Sequence, residues 1–417
     1  MSKTAIAWLL IYSGGAILAL VKHPIYGLLT YLFDYFNHPP LYRWGRGLPR
    51  LRWSFFIALI TLISFILHKS KFRKTKASSF KWMLALIGIM VFVTYTSAVS
   101  VEESQFYLIK FVKFAVLYFL IVKIVQAERE YRLFIWAIIL GCFLLGWRAY
   151  RAPSLLHGRL EGIGGPDTKE SNMLPLLMII PFSFVGFYLF IGRKWEKVLS
   201  IIVAPFLLNT IILCSSRGGV IALSVTAFMM LILGMRSLKF KVILIAVLGI
   251  VLFFNLVDQR FIERITTLHQ PTEVDTAQER LETWKGAWRL MLDHPLGVGG
   301  GGFDLLSPVY IPEVVQRHGG QLRTVHNTYL LAGSDWGFAG LGLFILFLTS
   351  GLLQLHRVRW KLKDPRNRYY IESQALEAAF LGVLAGSIFV NRLYAVSYTH
   401  LRAHETRHDL VCRLLLE

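Results

Sequence analysis

The sequence predicts an all-α, polytopic membrane helix bundle, and three observations carry that expectation. Of 417 residues, 55% are hydrophobic and 17% charged, where a soluble chain carries about a quarter charged. Mean hydropathy is +0.53. About 11–12 apolar runs approach the ~20 residues needed to cross a ~30 Å hydrocarbon core. The apolar load and only three cysteines exclude disorder, collagen, coiled coil and a disulfide scaffold. A net charge of +20, from 45 Lys+Arg against 25 Asp+Glu, would suggest nucleic acid in a soluble protein. In a membrane protein basic cytoplasmic loops account for it, and no nucleic-acid partner is expected.

The runs lie at 5–21, 53–67, 82–99, 107–125, 133–149, 173–192, 198–214, 219–234, 241–257, 327–354 and 373–391. Lys3 precedes the first, and no A-x-A-like cleavage site follows, so it reads as a membrane helix rather than a removed signal. A shorter run at 25–36 contains Asp34 and either crosses or re-enters; the first alternative puts the N-terminus outside, the second inside. Lys and Arg set the orientation. They crowd 69–81 and 356–370, and the short connections 193–197 and 235–241 are basic too. Counting runs places all four on one side, the cytoplasm. The connections 100–106, 150–172, 214–218 and 258–326 then face outward. Cys142, Cys214 and Cys412 read as small packing residues without a redox role.

Two outward segments, 150–172 and 258–326, are long enough to expect function in them. In the second, Thr276-Ala-Gln-Glu279 has the form of a capping box, followed by Leu281, Trp284, Trp288 and Met291 at helical spacing. The expectation is an amphipathic helix at the membrane interface over the outer mouth of the bundle. His294-Pro295 stops it, and the glycine-rich run 297–302 follows as a flexible turn.

Cations on the outer side run against the positive-inside bias. Arg217, in the minimal turn Cys214-Ser215-Ser216-Arg217-Gly218-Gly219, is either a snorkelling interfacial arginine or a guanidinium held for bidentate phosphate binding. Arg280, in the first turns of the loop helix, is either a solvated face residue or a second phosphate ligand aided by the helix dipole. Lys110 and Lys113 share one face of the 107–125 run, and either snorkel or face a polar cavity. Arg148, Arg151 and Arg159 add weaker outward charge. His326, where the long loop re-enters the membrane, has the ordinary pKa of a general base or is a structural residue at a helix start. The glycine run lacks the ending of a P-loop, and no metal-binding motif occurs in an outward segment, so no metal or cofactor is expected. His400, His404 and His408 fall in Ser397–Glu417, whose composition changes abruptly and reads as translated adapter sequence.

Taken together, Arg280-x-x-x-Trp284, Asp293-His294-Pro295-Leu296-Gly297-Val298-Gly299, Gly302-Phe303 and His326-Asn327-x-Tyr329 resemble the O-antigen ligase/polymerase family. Ser216-Arg217-Gly218-Gly219 matches its other hallmark, and Arg159-x-x-Gly162 through Asn172 looks like its upstream outer loop. The N-terminal half is similar to exosortase-associated O-glycosylation ligases. The resemblance covers roughly 5–391 and divides the chain into N-terminal membrane helices (1–149), a ligase-like catalytic region (150–391) and an atypical tail (392–417). It implies a metal-independent, inverting C-type glycosyltransferase of the bacterial inner membrane, with its active site facing the periplasm. The donor would be a glycan on undecaprenyl diphosphate, and the acceptor a hydroxyl of lipid A-core, glycan or protein. By the same resemblance Arg217 and Arg280 hold the diphosphate and His326 is the base, with Lys110, Lys113, Arg159 and Asn172 in support. An O-antigen polymerase with the same donor chemistry is one alternative. A transporter or flippase is another, and it would show midplane polar residues on broken helices; neither is evident in the sequence.

Overall fold

The computed structural model describes residues 2–69, 72, 79–156, 158–165, 168–238, 240–257 and 271–394. Most of the basic segment 69–81 and the tail with His400, His404 and His408 lie outside them. The chain is an all-α bundle. Its helices are α1 (Lys3–Val21), α2 (Ile25–Phe36), α3 (Trp53–Leu67), α4 (Phe80–Thr96), α5 (Val101–Ile124) and α6 (Glu128–Arg151). After these come α7 (Leu174–Ile191), α8 (Lys194–Leu213), α9 (Arg217–Leu238) and α10 (Lys241–Leu256). A loop region carries α11 (Pro271–Asp293), α12 (Gly302–Tyr310) and α13 (Pro312–Arg317), and the bundle ends with α14 (Thr328–Leu362) and α15 (Arg368–Gly386). Among the described residues six helices, α1, α6, α7, α8, α9 and α14, are long and apolar enough to cross a membrane. The segment 150–172 adds a small hairpin, β1 (Leu155–Leu156) with β2 (Arg159–Leu160).

The connections sort onto two faces. On the first, the His23 ring lies 5.2 Å from Phe72 and its Nε2 3.3 Å from Glu130. Arg368 reaches Glu196 at 2.7 Å, tying the basic connections 193–197 and 356–370 together. On the second face, Arg148 donates to the Phe36 carbonyl at 2.9 Å and to the Tyr42 hydroxyl at 2.5 Å. Val99 N–H donates to Val298 O at 2.9 Å there, and Thr328 N–H to Ser387 O at 2.9 Å. The start of α1 also lies on this second face, where Ser2 Oγ donates to Trp44 O at 3.3 Å. The run at 25–36 therefore passes from the first face to the second. Twelve helical residues rise only about 18 Å, and two 3-10 turns, Pro39–Leu41 and Arg43–Gly47, extend the passage. Asp34, wholly buried in α2, is tolerated because Ser54 Oγ (2.5 Å) and His38 Nδ1 (3.1 Å) bond its carboxylate.

Close helix packing holds the frame of the second half. At Gly382 of α15 an added Cβ would fall 1.8 Å from Thr226 Oγ1, and at Gly386 2.9 Å from Ala222 Cβ. Small residues thus let α15 and α9 approach backbone to backbone.

The run expected to form one span at 327–354 is a discontinuous helix. Gly337 in α14 has φ 69 and ψ −177, a region essentially confined to glycine. The break frees backbone groups that lipid would not satisfy. The segment 295–299 takes them: Val298 N–H donates to Ser334 O (3.1 Å), Gly299 N–H to Asp335 O (2.9 Å), and Phe338 N–H to Pro295 O (3.1 Å). The glycine run is accordingly a buried, closely fitted plug and not a flexible turn. An added Cβ at Gly297 would fall 2.5 Å from Gly337 N, and at Gly300 2.6 Å from Tyr107 Cβ. Below the break α14 continues from Phe338 to Leu362, about 37 Å at 1.5 Å per residue. That is enough to span alone, so the break lies at the end of the bundle on the second face.

Candidate functional site

Three elements of the second face converge on His326. The first is the start of α14. Asn327 caps it by accepting from Tyr329 N–H (3.0 Å) and Leu330 N–H (3.1 Å). Thr328 Oγ1 donates to Val390 O at 2.5 Å and accepts from Arg392 N–H at 2.8 Å. With both flanks tied down, His326 is held at φ 50. A left-handed non-glycine residue costs of order 1–3 kcal/mol and persists only where its surroundings over-determine it.

The second element is α11. It begins at Pro271, upstream of the expected cap at Thr276, because proline is well suited to the first helical position. Arg280 therefore lies mid-helix, where the N-terminal dipole gives no help. The expected stripe also divides: Trp284 and Met291 turn inward with buried Ala287 and Leu290, while Leu281 and Trp288 stay exposed at 54% and 49%. Burial toward the bundle and an apolar outer edge thus occupy different faces of one helix. Trp284 lies one turn from Arg280; its indole N–H donates to Val325 O at 3.2 Å and its ring lies 6.0 Å from Phe389.

Electrostatics mark what surrounds the histidine. Burial first, then Arg280 and Arg323, push His326 down to about 4, and Glu279 offsets this only in part. The imidazole is neutral at pH 7 and lies beside two guanidiniums. Glu279 accepts from Arg323 at 2.8 Å and lies 3.0 Å from His318 Nε2. Burial alone would raise its pKa, but the His318 hydrogen bond and the Arg323 charge hold it below the usual carboxylate range. Arg323 and Glu279 were not legible as site residues: one is an isolated cation in an irregular segment, the other a surface-type helix acid.

The third element is the α8–α9 turn. Ser216 caps α9 by accepting from Gly219 N–H at 3.3 Å, and half-buried Arg217 is the first helical residue. The preceding Ser215 is left-handed as well, with φ 44. Arg159 and Asn172 are brought to this turn: Arg159 donates to Asn172 Oδ1 (2.5 Å) and to Cys214 O (3.4 Å), and Ser216 Oγ donates to the same Asn172 oxygen (3.0 Å). An added Cβ on Gly218 would be 3.0 Å from Phe389 Cβ. Phe389 thus packs between the turn bearing Arg217 and the Trp284 that pins Val325. Lys110 is half-buried in α5, one turn from Tyr107, whereas Lys113 is exposed on the bundle surface. Arg148 serves the frame, bonding Phe36, Asn37 and Tyr42. Among the described residues no three His, Cys, Asp or Glu side chains converge as a metal site.

None of the curated proteins compared with the chain matches it. A family comparison does: residues 201–345 match the family described as O-Antigen ligase. The matched stretch contains Arg217, Arg280 and His326. It also contains the glycine plug and the broken start of α14. The chain therefore carries an O-antigen ligase-family domain, in a polytopic helical membrane frame.

Proposed function

We propose that the protein is an inverting, metal-independent glycosyltransferase that moves a glycan from undecaprenyl diphosphate to an acceptor hydroxyl at the periplasmic side of the bacterial inner membrane. The observation that carries this reading is the neutral imidazole of His326 beside the guanidiniums of Arg280 and Arg323, on the face opposite the basic connections. A lipid diphosphate is already a good leaving group, so the site must chiefly neutralise the charge it develops. Fixed guanidiniums in a partly dry pocket supply that. Arg280 and Arg217 bind the diphosphate, and Arg159 and Asn172 hold the Arg217 turn in place. His326 takes the proton of the acceptor hydroxyl as its oxygen bonds the anomeric carbon from the side away from the diphosphate. The anomeric carbon–diphosphate bond breaks, undecaprenyl diphosphate leaves with the electron pair, and the anomeric configuration inverts. The test is turnover by the purified chain with lipid-linked glycan, comparing lipid A-core, protein and glycan acceptors. Acceptor-dependent release of undecaprenyl diphosphate is expected; movement of lipid-linked glycan across the bilayer without that release would replace this reading with a transporter.

A further inference from the structure

Next to His326 lies a second group of polar side chains that the transfer chemistry above does not use. Asp304 follows the glycine plug in α12, Thr324 precedes His326 by two residues, and Asn391 follows α15. Asn391 Nδ2 donates to Thr324 Oγ1 at 2.6 Å, and the Thr324 hydroxyl serves the Asp304 carboxylate. Asp304 Oδ1 and Asn391 Oδ1 are enclosed by protein, and among the described residues no donor reaches either. Turning the Asn391 amide over would leave its other end unpaired instead. Enclosed polar atoms without partners are rare and ask for an explanation. A hydroxyl answers both, because it donates to a carboxylate and either donates to or accepts from an amide.

The surroundings narrow the ligand class. The rings of Tyr107 and Tyr394 meet at 4.7 Å, and Tyr107 is within electrostatic range of Asp304. The carboxylate of wholly buried Asp335 lies behind them and accepts from Tyr394 Oη at 2.9 Å. A diphosphate would be repelled by the Asp304 carboxylate. A neutral ring bearing several hydroxyls, with C–H faces to lie on aromatic rings, suits both features. Burial pushes Asp304 up to about 6, so the group is ionised near neutral pH and accepts hydrogen bonds.

We infer that Asp304, Thr324 and Asn391 form a hydroxyl-reading subsite for a sugar ring, next to the histidine and separate from the diphosphate-binding arginines. This rests on the glycosyl-transfer reading. A site that pairs substrate hydroxyls discriminates strongly, because a ligand lacking them leaves its polar groups unpaired.

Two measurements on the purified full chain test it. In the first, bare undecaprenyl diphosphate, which has no sugar, binds Asp304→Asn and Thr324→Val within twofold of the unaltered chain. In the second, steady-state transfer uses the donor and acceptor that sustain turnover. Asp304→Asn and Thr324→Val raise KM for one glycan substrate at least tenfold, and Thr324→Ser, which keeps the hydroxyl, restores it. A rise confined to the donor assigns the ring to the transferred sugar, and one confined to the acceptor assigns it to the acceptor. Unchanged KM for both substrates in both variants overturns the subsite. So does loss of bare undecaprenyl diphosphate binding in Asp304→Asn, because the residue would then serve the diphosphate site or the fold. If the unaltered chain does not bind undecaprenyl diphosphate, the donor reading itself fails and the subsite goes with it.

Discussion

The indole nitrogen of Trp284 donates to the backbone carbonyl of Val325 at 3.2 Å. Through that bond the helix bearing Arg280 holds the residue that precedes His326, tying the imidazole and the guanidinium to one frame. Trp284→Phe keeps most of the ring packing and removes the donor. A part-buried hydrogen bond of this kind is worth about 0.5–1.5 kcal/mol net, and turnover is expected to fall roughly three- to tenfold. Trp284→Ala also loses the packing on Phe389 and should lose more. Equal activity in Trp284→Phe and the unaltered chain would show that the bond does not position His326.

Arg217 and Arg280 are expected to fail as lysines. Lysine keeps the charge but loses the planar fork that pairs two phosphate oxygens. Arg217→Lys and Arg280→Lys should each lose most transfer activity at unchanged expression and weaken binding of undecaprenyl diphosphate. Near-normal turnover in both would remove them from the diphosphate site and leave snorkelling as their role.

Gly337 and Gly342 lie in the same helix and make opposite demands. An added Cβ at Gly337 falls 2.5 Å from Pro295 O in a conformation L-residues rarely adopt, whereas nothing lies within 4 Å of one at Gly342. Gly337→Ala should therefore displace the glycine plug and cost several kcal/mol, at the upper end of single substitutions. Gly342→Ala should be neutral or slightly stabilising, since alanine is the better helix former by about 1 kcal/mol. Equal thermal midpoints for the two purified variants would contradict the plug.

The helices were legible because their signal is local: long apolar runs and basic connections suffice to find spans and sort their ends. The passage at 25–36 was not, since a 12-residue run containing Asp34 fits crossing or re-entry equally well. The contact between Ser2 and Trp44 that decides it is long-range. The glycine run was misread for a related reason. Locally five glycines in six residues look loose, and the broken ends of α14 that fix them lie outside the run. This discontinuity is a feature the sequence did not reveal. With Phe338–Leu362 still long enough to cross, it differs from the midplane break expected of a transporter. His326 and Arg217 stood out through motif and charge, whereas Asp304, Arg323 and Glu279 became candidates only when folding enclosed them.

Topology follows from the same sorting of connections. Cysteines placed in 150–156 or 312–324 should be labelled from outside intact cells by a membrane-impermeant maleimide, and cysteines placed in 193–197 or 363–368 only after permeabilisation. Cys142 and Cys214 are buried and give little background. Outside labelling at 193–197 would invert the whole orientation and move the site to the cytoplasm.

The pH profile of transfer is the sharpest test of His326. As the proposed base His326 acts only when neutral, and in the free protein burial, Arg280 and Arg323 push it down to about 4. The fraction ready to accept a proton therefore rises with pH through about 4 and is level above, so kcat/KM should be flat from pH 6 to 8 as far as His326 governs it. A bound diphosphate cancels the positive charge of the guanidiniums that disfavour imidazolium. In the complex the histidine is then easier to protonate, and the inflection in kcat lies at higher pH than that in kcat/KM. Arg323→Gln should shift the kcat/KM inflection upward in the same sense, because it removes one repelling charge and releases Glu279 from its ion pair. His326→Ala should lose about 10²–10⁴-fold in turnover while undecaprenyl diphosphate still binds, since the proposed mechanism gives the phosphate contacts to the arginines. If His326→Ala keeps full transfer with the same profile, the residue only shapes the start of α14, and the proton must be taken by another group.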